Sequence, residues 1–422
     1  LATTRHKQRA AFVKEATAFA QESDWQANGT KVHLAAPADT SGVAQSLLKD
    51  ERTTTRVAEM AGPSVKGLRN TTASASVYIT GKDEVTSDTT QVAETSLMVL
   101  LEHCMGGVDR SNATTAAVGG SHSTTAVELT SSTNYAAGQM LGVIDAGDTD
   151  SIVEWARITD ITADVATLDR ALSFTPTDGD KVIGTATAYY DPDVLEDSNA
   201  ANRQLSWWFE QGESATGFVE LIGTKAGMSL EGFERDGLPR ITLNINATYW
   251  TNSADGTTHP TWSGATTGQA PVAFGPRTKF FFQDYGTTTD TTTIHLSELS
   301  VDPALAPVPI SAVTSQTDNA QGSAGWSQGP YNPTASFTIT PHSDAYDTDL
   351  GADTFKVFGV FRRNVEGSSF CVWFPRAEIS ATPVLGANGE VLATQVTILG
   401  HEDLDAVGTT DIVKSPMVIG LG

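Results

Sequence analysis

The chain has 422 residues, 39% of them hydrophobic and 18% charged, a globular composition long enough for one large core or two plus a small insertion. Its 26 basic residues against 50 acidic ones leave a net charge of −24, which argues against a surface that grips DNA or an anionic membrane, since both need a basic footprint. Abundant Thr, Ser, Ala and Gly, with only 6 Met, lean towards β structure and long loops.

The first patterned stretch is 8–22 (QRAAFVKEATAFAQE), where Phe12, Ala16 and Phe19 recur at helical spacing and predict an amphipathic helix. The charges at Arg5, Lys7, Arg9, Lys14 and Glu15 leave no apolar core for a signal peptide. Residues 23–64 are polar and irregular apart from a short helix expected at 43–51, so 1–66 reads as an N-terminal arm. From Gly67 the period becomes two, with Ala73, Ala75, Val77 and Ile79 on one parity. A helix over 90–105 follows and ends at Gly106-Gly107, where glycine supplies the C-cap. Its run Leu97 to Leu101 is the longest aliphatic stretch and is too short to span a bilayer.

Residues 110–190 read as a separate small β module. TAVELT, MLGVID, VEWARITDIT, VATLDRAL and KVIGTATAYY are short strands at regular spacing, flanked by the low-complexity pieces SNATTAAVGGSHS and DPDVLEDSNAAN. β structure resumes over 191–422 with QLSWWFEQ, GFVELIG, AGMSLEGF and PRITLNINATYW. A Thr/Gly/Pro-rich loop at 251–276 precedes TKFFFQD and TIHLSEL. The stretch from Ser336 to Gly400 then carries SFTIT, FKVFGVF, SSFCVWFP, AEISATPVL and EVLATQVTIL. The two middle runs break alternation: Phe355, Val357 and Phe361 oppose Phe358 and Val360, while Phe370, Val372 and Phe374 oppose Cys371 and Trp373. A strand apolar on both faces must be covered on both, either by another layer of the chain or by a neighbouring subunit.

No reaction chemistry stands out. Eight histidines are scattered without HExxH or ligand spacing, and neither a Walker loop nor GxGxxG occurs. Gly212-Glu213-Ser214-Ala215-Thr216-Gly217 misses the GxSxG elbow. Cys104 and Cys371 lie in apolar runs and read as small buried hydrophobes rather than as a disulfide framework. Asp145, Asp148 and Asp150, and Asp344, Asp347, Asp349 and Asp353, read as solvated turn residues, with calcium as the rarer alternative. Trp207-Trp208-Phe209 reads as a strand buried on both faces in preference to a sugar platform. No catalytic role, metal or cofactor is expected.

Four segments resemble the major tail proteins, or tail tube proteins, of long, flexible-tailed bacteriophages. VKGLRNTTASASVYITG is similar to the family's early strand, and TSLMVLLEHCMGG to the helix ending in a glycine pair that follows it. GMSLEGFERDGLPRITLNINATY resembles the central antiparallel pair, and FKVFGVFRRNVEGSSFCVWFPRAEISATPVL the last hairpin. The resemblance implies a mainly β fold: a tail-tube-type β-sandwich with a flanking α-helix, its first part over 67–109 and its second over 191–422, plus the inserted small β module. It implies a structural virion protein made in the host cytoplasm, whose copies form stacked hexameric rings, with other tail proteins at the tube ends and DNA passing without specific binding. An acidic lumen would repel phosphate, with Glu210, Glu213, Glu220 and Glu231 as its candidates. A neighbouring copy would cover the second apolar face at Phe358, Val360, Cys371 and Trp373. The rival readings are a secreted or cell-surface structural or adhesive β protein and a carbohydrate-active β-sandwich.

Overall fold

The computed structural model describes residues 8–15, 30–32, 34–48, 65–80, 91–92, 94–148, 150, 152–196, 204–211, 218–234, 237–251, 278–288, 295–309, 326–340, 355–362, 367–380, 384–388, 391–405, 408 and 410–422. The chain is mainly β. It opens with β1 (Gln8–Lys14), β2 (Thr30–Val32), β3 (Val43–Leu48) and β4 (Val65–Tyr78), followed by helix α1 (Ser96–Met105) and β5 (Gly106–Arg110). Next come β6 (Thr115–Ala116), β7 (Ala126–Glu128), β8 (Met140–Ile144), β9 (Val153–Thr162), β10 (Val165–Leu168) and β11 (Lys181–Ile183). Then follow β12 (Ala186–Tyr190), short helix α2 (Pro192–Glu196), β13 (Leu205–Gln211), β14 (Phe218–Glu231), β15 (Arg240–Thr251), β16 (Thr278–Asp284), β17 (His295–Leu305), β18 (Pro307–Pro309) and β19 (Trp326–Gln328). The last elements are β20 (Thr334–Thr340), β21 (Lys356–Arg362), β22 (Phe370–Ile379), β23 (Val384–Asn388), β24 (Val391–Gly400), helix α3 (Asp411–Lys414) and β25 (Val418–Leu421).

Seventeen of these strands form one continuous antiparallel sheet, β6 to β11 form a second of six strands, and β18–β19 a ribbon. The large sheet changes partners at two long strands. β14 pairs with β15 along one edge, and on its other edge with β13 and then β17. β22 pairs with β21 on one edge, and on the other with β25 and then β24. The sheet thereby turns back on itself, and Ala75, Leu243, Met228 and Trp207 share one core with Phe337, Phe358, Phe374 and Val396. α1 packs against β5, β12 and β14 and buries Leu97, Met98, Leu100 and Leu101 in the same core. Its start is set by Thr95, whose Oγ1 accepts the Met98 N–H at 3.3 Å, and its end by Gly106 at φ 102°. The helix is therefore shorter than the 90–105 that periodicity gave.

Three expectations for the N-terminus are corrected. Residues 8–14 are a strand, because Ala10 and Phe12 alternate with Ala11 and Val13 and satisfy period two as well as the helical period. Pairing of Phe12 with Trp207, their rings 5.4 Å apart, decides between the two periods. Residues 43–48 are β3 on the edge of β4, not a helix. Within 1–66, β1, β2 and β3 are strands of the large sheet and 34–42 runs beside β4 through the bridges Leu34↔Val77 and Asp39↔Ser74, not an arm, while 1–7, 16–29, 33 and 49–64 lie outside the described residues.

The six-stranded sheet is inserted between two neighbouring strands. β5 and β12 pair from Gly106↔Tyr190 to Arg110↔Ala186, and the chain leaves and re-enters at that end. Ser111 N–H donates to Thr185 O at 2.9 Å, and Thr185 N–H donates to Ser111 Oγ at 2.7 Å, closing the neck. The run KVIGTATAYY, read as one strand, is split at Gly184-Thr185: β11 belongs to the module and β12 to the large sheet.

Candidate functional site at the module joint

The strands with two apolar faces are covered by their own chain. On β21 and β22, Phe358, Val360, Phe370, Val372 and Phe374 enter the main core. Val357, Cys371 and Trp373 point the other way and meet Met140, Val153, Trp155 and Ile183 of the module. Phe358, Val360, Cys371 and Trp373 are each at most 1% exposed within the single chain. They therefore form no subunit-facing wall, and the module supplies the second cover. Phe281 of β16 stacks on Trp373 at 5.5 Å in this layer. Gly359 is required beneath the indole, because a Cβ there would run into the ring.

A polar network crosses the same joint. Asp169, just past β10, accepts the Arg157 N–H at Oδ1 (2.9 Å) and the Trp373 indole N–H at Oδ2 (2.8 Å). Gln283 of β16 donates its amide to Asp169 O at 3.0 Å. Burial pushes the Asp169 carboxyl up to about 6, against the opposing pull of Arg157, Trp373 and Arg170. Arg157 of β9 is itself buried, 3.4 Å from Asp403 Oδ2, and donates to Val413 O. Tyr285 O–H donates to Asp403 Oδ1 at 2.6 Å. Glu154, fully buried, accepts from Ser173 N–H at 2.7 Å and from its hydroxyl, beside Arg170 at 3.6 Å and Lys279 at 3.4 Å. Burial pushes the Glu154 carboxyl up, but the Ser173 hydrogen bonds, Arg170 and Lys279 together hold it below its ordinary value.

Between module and sheet lies a cavity of about 310 Å³, with Arg157, Thr159 and Asp169 on one side and Tyr285, Val357 and Asp403 on the other. Its acids already accept hydrogen bonds from fixed donors, and both cysteines are free thiols in apolar packing. Burial raises the Cys104 thiol to about 12 and that of Cys371 as well, so neither is a poised nucleophile. The arrangement ties the two sheets together around a cavity.

The acids expected to line a lumen do not come together as a free acidic wall. Glu210 of β13 sits 3.6 Å from Arg9, its cross-strand partner on β1. Glu220 of β14 is buried at 4% exposure. Glu231, at the end of β14, holds Arg240 of β15 through Nε at 2.8 Å and Nη2 at 2.7 Å. Glu213 lies outside the described residues. In the first Asp cluster, Asp145 accepts from Gly147 N–H at 2.7 Å and Asp148 from Asp150 N–H at 2.9 Å, both turn bonds. Asp344, Asp347, Asp349 and Asp353 lie outside the described residues, among which no group of three or more His, Cys, Asp or Glu is arranged for a metal. Trp207 and Phe209 stack in the core at 5.5 Å, while Trp208 packs on the opposite face with Ala11 and Val13. Among the described residues no helix is long and apolar enough to cross a membrane.

Sequence reasoning passed over the joint. Its signal was Glu154 and Arg157 standing within the otherwise apolar start of β9 (VEWARI), charges that a strand buried on both faces tolerates only when paired. No protein-family model and no curated protein matches the sequence.

Proposed function

We propose that the chain is a structural virion protein, the subunit of a phage tail tube, whose copies assemble into stacked hexameric rings that conduct DNA into the host. The four segments that carry the resemblance form, in order, β4, α1, the long antiparallel pair β14–β15, and β21–β22. The observation that carries the proposal is the outer face of β4 and β15. Ala73, Ala75 and Val77, with Ile241, Leu243 and Ile245, face the core. The opposite face pairs Thr72 with Asn246, Ser74 with Asn244 and Ser76 with Thr242. Ser76 Oγ and Thr242 Oγ1 lie 2.9 Å apart. This is a row of hydroxyls and amides, half-buried to exposed, with no cation among those six residues.

DNA adheres to proteins through cations that displace its counterions. In a chain of net charge −24 this row of small neutral side chains gives phosphate little to grip: Arg240, next along β15, is paired with Glu231, and Lys225, opposite Asn246 on β14, is buried. In this reading the face of β4 and β15 lines the conduit, and the acids named from sequence contribute only to the general negative field. Negative-stain microscopy of the purified chain tests the reading. Six-fold rings or tubes support it, and dispersed monomers at high concentration count against it.

A second reading, a secreted or cell-surface structural β protein, is favoured by one observation. The two-faced strands are covered within the chain, so burying them requires no neighbour. The same micrographs separate the two.

A further inference from the structure

We propose that the groove between β12 and β22 is a strand-binding site that takes the β25 segment of a second copy in place of the chain's own. The inference does not rest on the tail-tube reading. β25 is paired along both edges. Leu421, Gly420, Ile419 and Val418 face Ala186 to Tyr189 of β12 on one side and Phe370 to Trp373 of β22 on the other. A strand received between two edges is held by main-chain hydrogen bonds, whichever chain supplies it.

The walls of the groove are built without β25. β12 is paired with β5 and packed by α1, and its Thr187 Oγ1 accepts the Met140 N–H of the module at 2.9 Å. β22 is held by β21 and by β24. Trp373 of β22 shares the apolar layer of the joint with Met140 and Trp155. With the segment gone, both walls keep these partners and present two open strand edges, which invite another strand.

Side chains narrow what fits. Met417, Ile419 and Leu421 enter the main core, and Val418 meets the module. Gly420 leaves no room for a side chain: a Cβ there would lie 2.6 Å from Cys371 Sγ and 3.0 Å from both Met140 and Trp155. A Cβ at Gly422 would lie 2.7 Å from Ile183 and 2.8 Å from Trp155. Backbone pairing holds any extended segment, and these demands select one with glycine at both places. β25 itself satisfies them, and every further copy of the chain carries it. The connection to β24 is open as well, with Leu404 at 69% exposure and Gly408 exposed. Identical elements exchange between copies at low cost through such a hinge.

A synthetic peptide of residues 410–422 stands in for the second copy's segment. The full chain, given a protease site at Gly408 and cut there, should keep its own piece bound and stay folded. Cutting removes the advantage of the tethered segment, so fluorescein-labelled peptide should then enter, up to one per chain, as read by fluorescence polarisation. The Gly420→Ala peptide should bind about tenfold more weakly or not at all. No uptake of the wild-type peptide by the cut chain overturns the proposal, as does equal uptake of both peptides or unfolding of the chain on cutting. If the inserted site prevents folding, the wild-type chain held with excess labelled peptide just below its melting temperature decides. Uptake of the wild-type peptide in preference to Gly420→Ala supports the site, and no uptake or equal uptake overturns it.

Discussion

Trp373 donates its indole N–H to Asp169 across 2.8 Å, a bond between a strand of the large sheet and the residue that follows β10 in the inserted module. The indole is fully buried, with Phe281 stacked on it and Gly359 beneath it. This pair defines what covers the second apolar face of β22. The cover comes from the same chain, and the module is a wall of the fold rather than an appendage.

Asp169→Asn should therefore change stability in a pH-dependent way. Burial raises the folded carboxyl to about 6 from an ordinary value of 3.8. Between those values the folded state holds more protons than the unfolded one, so the stability linked to Asp169 is complete below the lower value and lost as pH rises towards the upper. The loss is on the order of 3 kcal/mol. Glu154 has the opposite sign, its contribution being present above its ordinary value and lost as pH falls. Urea titrations of wild type and Asp169→Asn across this window isolate the Asp169 term. The variant cannot titrate, so it should gain on wild type as pH rises through the window. A constant difference would contradict the assignment.

Replacing 111–185 by a short turn between Arg110 and Ala186 should not yield a soluble body. The deletion uncovers Phe281, Val357, Cys371, Trp373 and Val418, a contiguous apolar patch. The expected product aggregates or binds a hydrophobic dye strongly. A monomeric, cooperatively melting body would show that the module is dispensable.

Gly359→Ala tests the packing under Trp373 at the scale of one methyl. The added carbon meets the indole ring, and either the ring moves, straining its bond to Asp169, or β21 does. A loss of about 1–3 kcal/mol is expected in urea denaturation. An unchanged midpoint would mean that the joint is looser than its contacts indicate.

Much of the strand content was legible because alternation and turn residues are local signals. β4 and β9 follow directly from Ala73, Ala75 and Val77 and from VEWARITDIT. Phe12 and its neighbours fitted two periods at once, and only the partner strand carrying Trp207 decided between them. The same limit applied to the two-faced strands. Their composition required a second cover, but which residues supply it is a long-range fact, set by where Met140, Trp155 and Ile183 are carried through the neck at Ser111 and Thr185. The acids at 210 and 231 looked free because their arginine partners lie on other strands.

Glu231→Gln should cost less than about 1 kcal/mol, since Glu231 and Arg240 are both about two-fifths exposed and such pairs are screened by water. If the chain assembles, the substitution should also leave assembly intact, because the acid is already paired on its own protomer. Failure of rings to form in this variant would return Glu231 to the subunit contact.

The most direct measurement is the position of residue 244 in an assembled particle. Asn244 is exposed on the outer face of β15, between Ser74 on one side and Gly227 on the other. Asn244→Cys coupled to an electron-dense maleimide and imaged by cryo-electron microscopy should place six label densities on the inner wall of each ring. Labels on the outside of the particle, or a chain that never forms rings, would contradict the account.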